Sequence, residues 1–223
     1  MPLTKDITFK CPECGEEIPL TLWQSVNTAE NPKEAEALAY GDLFYIQCPK
    51  CGYQTMANYS LLYHDVEHGM MIQYIATPDR EERAKEMAEY RKARKESIEA
   101  AKAQDPALAK QLYGSVFRFV TSLNDLREKA LILRAGLDDR YVELVKAYIM
   151  PQAANMKPDL GIESVRFFLD KDGKEAGSCD FDMESYNAFK NGLSLVEADT
   201  DIIDTGWARE VISEIESQDT FQG

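Results

Sequence analysis

Two short cysteine pairs hold the residues best suited to chemistry, Cys11-Pro-Glu-Cys14-Gly and Cys48-Pro-Lys-Cys51-Gly. A Cys-x-x-Cys turn offers two sulfurs from one tight bend, and two such turns offer the four thiolates that tetrahedral zinc prefers. The proline inside each pair has no N–H and fixes φ, which pre-shapes the turn. The glycine after each pair can take positive φ, which lets backbone amides approach sulfur. The spacing therefore predicts Cys11, Cys14, Cys48 and Cys51 as ligands of one Zn(2+) ion. An iron site, disulfides and a redox pair are the alternatives. Four protein ligands leave no open position for water, so the expected role is folding rather than catalysis. Serine at any one of the four is expected to unfold this region.

Each pair needs a strand to carry it. Ile7-Thr-Phe-Lys10 and Phe44-Tyr-Ile-Gln47 lead into the two turns, and Ile18-Pro-Leu-Thr-Leu-Trp23 and Leu43-Phe-Tyr-Ile-Gln47 have the β-branched and aromatic content of strands. Two turns rising from hairpins make a zinc-ribbon arrangement. Between them, Pro32 to Tyr40 reads as a short helix, with Asn31 at the N-cap, Pro32 at N1 and Gly41 as the stop. Tyr59 to Tyr63 and Met70 to Ile75 flank a polar stretch ending in Gly69, a hairpin pattern.

Asp79 to about Gln104 consists almost entirely of helix formers with interleaved charge, including the i,i+4 pair Glu81/Lys85. Its apolar positions, such as Met87, Tyr90 and Ile98, are sparse and predict a narrow buried stripe, as in a solvated connector or an arm that packs on a partner. Ser115 to Val120 then reads as a strand. Ser122 opens a capping box with Asp125, and a helix runs through Leu126 to Ala135 until Gly136. A second helix starts at Asp138 or Asp139 and is expected to end at Pro151, forming a helical hairpin. Its stripe of Leu126, Leu133, Val142 and Val145 has the character of core. Val165 to Leu169 and Glu175 to Phe181 flank Asp170-Lys-Asp-Gly-Lys174, a hairpin turn pattern. Short helices are expected near 184–191 and 206–217, the last with Thr205 as N-cap. The predicted fold is α+β: a zinc-ribbon-like β module over 1–78, a charged helical connector over 79–112, and a small α/β module with a helical hairpin and a β-hairpin over 113–223.

The 223 residues carry a formal charge of −14, with 44% hydrophobic and 29% charged residues, the balance of a soluble globular chain. The N-terminal module has 4 basic and 10 acidic side chains, the connector 9 and 8, and the last piece 12 and 21. Only the connector is positive, with Arg91-Lys-Ala-Arg94-Lys95 as its basic cluster. Such a balance disfavours a broad nucleic-acid surface, which must neutralise phosphates. No apolar run approaches the ~20 residues that cross a bilayer, and the first ten residues show no secretory signal. Four of five cysteines in close pairs favour metal over disulfides in a reducing compartment, so a cytoplasmic location is expected.

The chain resembles the CpXC family of bacterial and archaeal proteins. The resemblance rests on Phe9-Lys-Cys-Pro-Glu-Cys-Gly15, Gln47-Cys-Pro-Lys-Cys-Gly52 and Tyr59-Ser-Leu-Leu-Tyr-His-Asp65. It extends through Val120-Thr-Ser-Leu-Asn-Asp-Leu-Arg-Glu-Lys129 and Gly136-Leu-Asp-Asp-Arg140. It implies a zinc-binding fold of unknown function and adds no activity.

Other residues invite weaker readings. His64-Asp-Val-Glu67-His68 fits H-x-x-E-H, a zinc-peptidase pattern that requires both histidines on one helix face. The alternating flanks and Gly69 point to a hairpin tip instead, leaving a hydrolase using His64, Glu67 and His68 as an alternative function. Cys179 reads as a half-buried strand thiol rather than a nucleophile. Asp170, Asp172, Asp180, Asp182 and Glu184 lack EF-hand spacing and read as solvated turns. Asp138-Asp139-Arg140 reads as a helix N-terminus where carboxylates oppose the macrodipole, with a partner-binding surface as the minority reading. The leading expectation is a non-catalytic protein-interaction or scaffolding module, with Trp23, Tyr53 and Tyr59 as a possible contact face or as core. A nucleic-acid-binding ribbon is the other alternative. A protein partner is expected, no membrane association is, and homo-oligomerisation is left open.

Overall fold

A computed structural model of the chain describes residues 3–107, 109, 116–156, 183–193 and 200–220. The fold is mixed α+β and divides into two compact units, Met1–Arg127 and Glu128–Gly223.

In the first unit, β1 (Thr4–Lys10) and β2 (Glu17–Trp23) pair antiparallel, as do β4 (Tyr45–Gln47) and β5 (Gln54–Met56). These are two separate ribbons. A four-stranded sheet is ordered β3-β6-β7-β8, from β3 (Ser25–Asn27), β6 (Leu61–Asp65), β7 (Met70–Tyr74) and β8 (Val116–Val120). The predicted hairpin is β6–β7. The outer strands β3 and β8 both join in parallel. A parallel pair needs a long crossover, and the charged helix α2 (Arg80–Gln104) lies in the chain between β7 and β8. Of its predicted stripe, Met87 is buried and Tyr90 is covered inside the unit. Tyr90 stacks on Phe117 at 5.8 Å and meets Phe119 edge-on, while the guanidiniums of Arg91 and Arg94 lie over Phe119 and Phe117. Asp79 caps α2 by accepting from the amides of Glu81 and Glu82.

Helix α1 (Pro32–Tyr40) follows the predicted bounds and stops at Gly41, whose φ of 91° only glycine takes freely. Asn31 holds the N-cap position without a side-chain cap; its Oδ1 accepts from the Asn27 amide instead. Leu43 and Phe44 depart from the predicted strand. Asp42–Phe44 form a 3-10 turn, and the strand starts at Tyr45. Turning there buries Phe44 against Tyr59, with ring centroids 5.2 Å apart.

Helix α3 (Leu123–Arg134) is capped by Ser122, whose Oγ accepts from the Asp125 amide. It ends at Gly136 in a Schellman motif, with Leu137 N–H donating to Ile132 O and Gly136 N–H to Leu133 O. Helix α4 (Asp139–Met156) continues through Pro151 instead of ending there. Proline removes one N–H donor but its φ suits a helix, so the chain resumes its turn after losing a single bond. In the second unit α4 packs against α5 (Met183–Gly192) and α6 (Thr205–Thr220), burying Val142, Leu144, Val145, Tyr186 and Ala208. The predicted stripe of Leu126, Leu133, Val142 and Val145 is buried throughout. The N-cap of α6 is Asp204 rather than Thr205. Asp204 Oδ1 accepts from the Trp207 amide, while Thr205 Oγ1 donates to Glu143.

Beneath this apolar packing lies a network of buried charges. Lys129 Nζ lies 3.1 Å from Asp139, 3.3 Å from Glu143 and 2.7 Å from the Ile203 carbonyl. Lys146 pairs with Glu128 at 2.9 Å and with Glu143 at 3.0 Å. The predicted hairpin over 165–181, Cys179, and Asp170, Asp172, Asp180 and Asp182 lie outside the described residues; Glu184 falls in the first turn of α5.

Candidate metal centre

Each ribbon ends in one cysteine turn, and the two turns are near copies. Cys11 N–H donates to Glu16 O at 2.8 Å and Gly15 N–H to Cys11 O at 2.9 Å. In the second turn Cys48 N–H donates to Tyr53 O and Gly52 N–H to Cys48 O, at the same distances. Gly15 and Gly52 take φ of 73° and 77°. That left-handed step reverses the chain and frees the next amide to face sulfur. The amide of Glu16 donates to Cys14 Sγ, that of Tyr53 to Cys51 Sγ, and those of Cys51 and Lys50 to Cys48 Sγ.

The four sulfurs converge. Cys11 Sγ lies 3.6 Å from Cys51 Sγ, Cys14 Sγ lies 3.6 Å from Cys48 Sγ, and all four fall within 4.8 Å of one another. Disulfide sulfurs would stand about 2.05 Å apart. A tetrahedron of four sulfurs about 2.3 Å from a central ion has edges of about 3.8 Å. The set therefore fits a four-coordinate metal ion, and four cysteines so placed can bind one. Among the described residues no other group of three or more His, Cys, Asp or Glu side chains is placed to do so.

The surroundings favour thiolates unevenly. Donation from the Cys51 amide, then from Lys50, outweighs burial and lowers Cys48 to about 7. At Cys51 the Tyr53 amide pulls downward, but desolvation and contact with the thiols of Cys14, Cys48 and Cys11 push the group up to about 12. Four thiols packed without a cation resist ionising together, and a cation at their centre removes that penalty. Cys11 and Cys48 are buried with Ile18, and Phe9, Leu20 and Tyr53 pack around them. Cys14 is half-buried and Cys51 is exposed. Lys50 and Glu16 close an ion pair across the two turns at 2.9 Å. Sequence reasoning passed over this pair, although opposite charges inside one cysteine turn and beside the other were its visible sign.

The histidine motif meets a different fate. His64 lies on β6 opposite Met71, and Glu67 and His68 lie in the turn beyond it, so no helix aligns them. His68 Nδ1 sits 3.0 Å from the buried Asp65, whose carboxylate also accepts the His68 amide and pins the hairpin turn. Asp139 is buried on Lys129, and Asp138 grips Arg140 through both carboxylate oxygens. Tyr53 and Tyr59 are packing residues: Tyr53 lies on the cysteines and Tyr59 on Phe44.

Two hairpins, each tipped by a Cys-Pro-x-Cys-Gly turn and meeting sulfur to sulfur, define a four-cysteine ribbon protein. A family model described as CpXC protein matches residues 9–146, more than half of the chain and a span that includes both turns. The chain belongs to the CpXC family, whose function is unknown. No curated protein and no solved structure matches it. Among the described residues no helix is long and apolar enough to cross a membrane.

Proposed function

We propose that Cys11, Cys14, Cys48 and Cys51 hold one zinc ion in a closed structural site, and that the ribbon it stabilises serves a non-catalytic protein-interaction or scaffolding role. The observation that carries this reading is the convergence of four sulfurs from two matching turns, at separations near those of a ZnS4 tetrahedron. Four thiolates fill a tetrahedral ion and leave no place for a substrate or a reacting water. The ion would therefore supply cohesion. The second ribbon is short, and β4 and β5 have only three residues each.

An interaction role is supported by the outer face of the second ribbon. Tyr45 and Met56 are directly opposite each other and are 44% and 51% exposed, flanked by the neutral pair Gln47 and Gln54. An apolar, uncharged face suits protein better than phosphate backbone, and the chain's charge of −14 points the same way. The test is metal content by mass spectrometry of the native protein beside a Cys48→Ser/Cys51→Ser variant. One zinc per chain in the native protein, absent from the variant together with ordered ribbons, is the expected result. Two metals per chain, or retention of the intact protein on DNA or RNA at low salt, would overturn the reading.

A further inference from the structure

The four sulfurs are not equivalent. Cys11 and Cys48 are sealed, each 1% exposed, Cys14 is half-buried, and Cys51 is the most exposed of the four. The space beside Cys51 is open as well: a Cβ added to Gly52 would meet no heavy atom within 4 Å. Oxidation of a thiolate follows its accessibility, and metal-bound cysteine is held as thiolate. Cys14 and Cys48 also lie within 4.8 Å of Cys51 Sγ, but the close 3.6 Å contact runs to the other turn, to Cys11 Sγ.

We infer that Cys51 is a peroxide-sensitive modification site, and that its oxidation releases the ion by joining it to Cys11. This rests on the four-thiolate metal site proposed above. The Cys51 thiolate attacks one oxygen of hydrogen peroxide, the O–O bond breaks, hydroxide leaves, and sulfur becomes a sulfenic acid, oxidised by two electrons. The Cys11 thiolate then attacks that sulfur and expels a second hydroxide. In all, two thiolates and one peroxide give one disulfide and two hydroxides. Bond formation draws the two sulfurs from 3.6 Å to about 2.05 Å. Two ligands and two negative charges are lost, so Cys14 and Cys48 alone no longer hold the ion. The chain's charge of −14 selects a neutral peroxide over an anionic oxidant.

The experiment uses the full chain with Cys179→Ser, so that the fifth thiol stays silent. Zinc release under hydrogen peroxide is followed with a chromogenic chelator, and the first disulfide is mapped by mass spectrometry. Cys51→His keeps a fourth ligand but removes the exposed thiolate, and Cys14→His is its comparator. The expected result is release slowed several-fold in Cys51→His, near-parental release in Cys14→His, and a first disulfide between Cys11 and Cys51. Parental release from Cys51→His, or a first disulfide joining any other pair, overturns the inference. Should Cys51→His hold no ion, the disulfide mapped in the parent decides. A parent without zinc before any peroxide is added removes the underlying metal reading, a failure distinct from the other two.

Discussion

Lys129 Nζ stands 3.1 Å from Asp139 Oδ2, with 4% of the one side chain and 1% of the other exposed. The lysine comes from α3 and the aspartate from the first turn of α4, so the pair closes the helical hairpin from inside. Glu143 and the Ile203 carbonyl also lie against the lysine.

A charge so deeply buried is costly to strand. Asp139→Leu is expected to destabilise the second unit by about 3–5 kcal/mol, and Lys129→Met/Asp139→Leu by clearly less, because the double variant leaves less uncompensated charge. Urea unfolding followed by Trp207 fluorescence, with Trp23 replaced by phenylalanine, reads this unit alone. Equal losses in the single and double variants would show that the pair is not coupled.

The proposed metal site belongs to the other unit. Cys48→Ser removes a buried thiol from the four-cysteine centre, and structural zinc sites of this kind contribute on the order of 10–16 kcal/mol of apparent binding free energy in peptides. Ordered amide resonances of β1, β2, β4 and β5 should disappear, while Trp207 keeps its native emission. Dispersed ribbon resonances in the variant would argue that the hairpins stand without the ion.

Glycine substitutions should separate backbone strain from crowding. Gly52→Ala meets open space and pays only for its φ of 77°, about 1–2 kcal/mol. Gly41→Ala has the same kind of strain at 91° and also drives its Cβ to 2.9 Å from the Arg127 guanidinium. That guanidinium donates to the carbonyls of Ala39 and Tyr40 at the end of α1. Gly41→Ala should therefore lower the urea midpoint more than Gly52→Ala, whereas Gly52→Ala should weaken metal retention more.

Alkaline pH should weaken the first unit through Tyr59. Burial raises its folded-state pKa, outweighing the opposing pull of the Trp23 amide. The stabilisation is complete below the unfolded value of about 10 and is lost as pH rises through the higher folded value. Unfolding midpoints between pH 8 and 11 should fall less steeply in Tyr59→Phe than in the parent. Parallel curves would assign the decline to other groups.

Much of this protein was legible in short-range pattern. Cys-Pro-x-Cys-Gly spacing identified all four thiols, since both sulfurs of a pair come from one local turn. Helix bounds at Pro32–Tyr40 and Arg80–Gln104 followed from Pro at N1, Gly at the stop and dense helix formers. The Ser122 cap and the Gly136 stop were equally local.

Tertiary structure decided what sequence separation conceals. Cys11 faces Cys51 and Cys14 faces Cys48, a pairing across turns that no spacing within either turn specifies. Parallel pairing of β8 with β7 rests on hydrogen bonds between strands on either side of a 25-residue helix. Lys129, Glu143 and Lys146 look like residues of a solvated helix face, because a charged side chain is ordinarily cheapest in water. Only the fold could bury them, since each one's compensating partners come from other turns or other helices. The sequence by itself determined which atoms can bind a metal and where the local elements begin and end. Which sulfur meets which, and which of them solvent reaches, depended on contacts between distant segments.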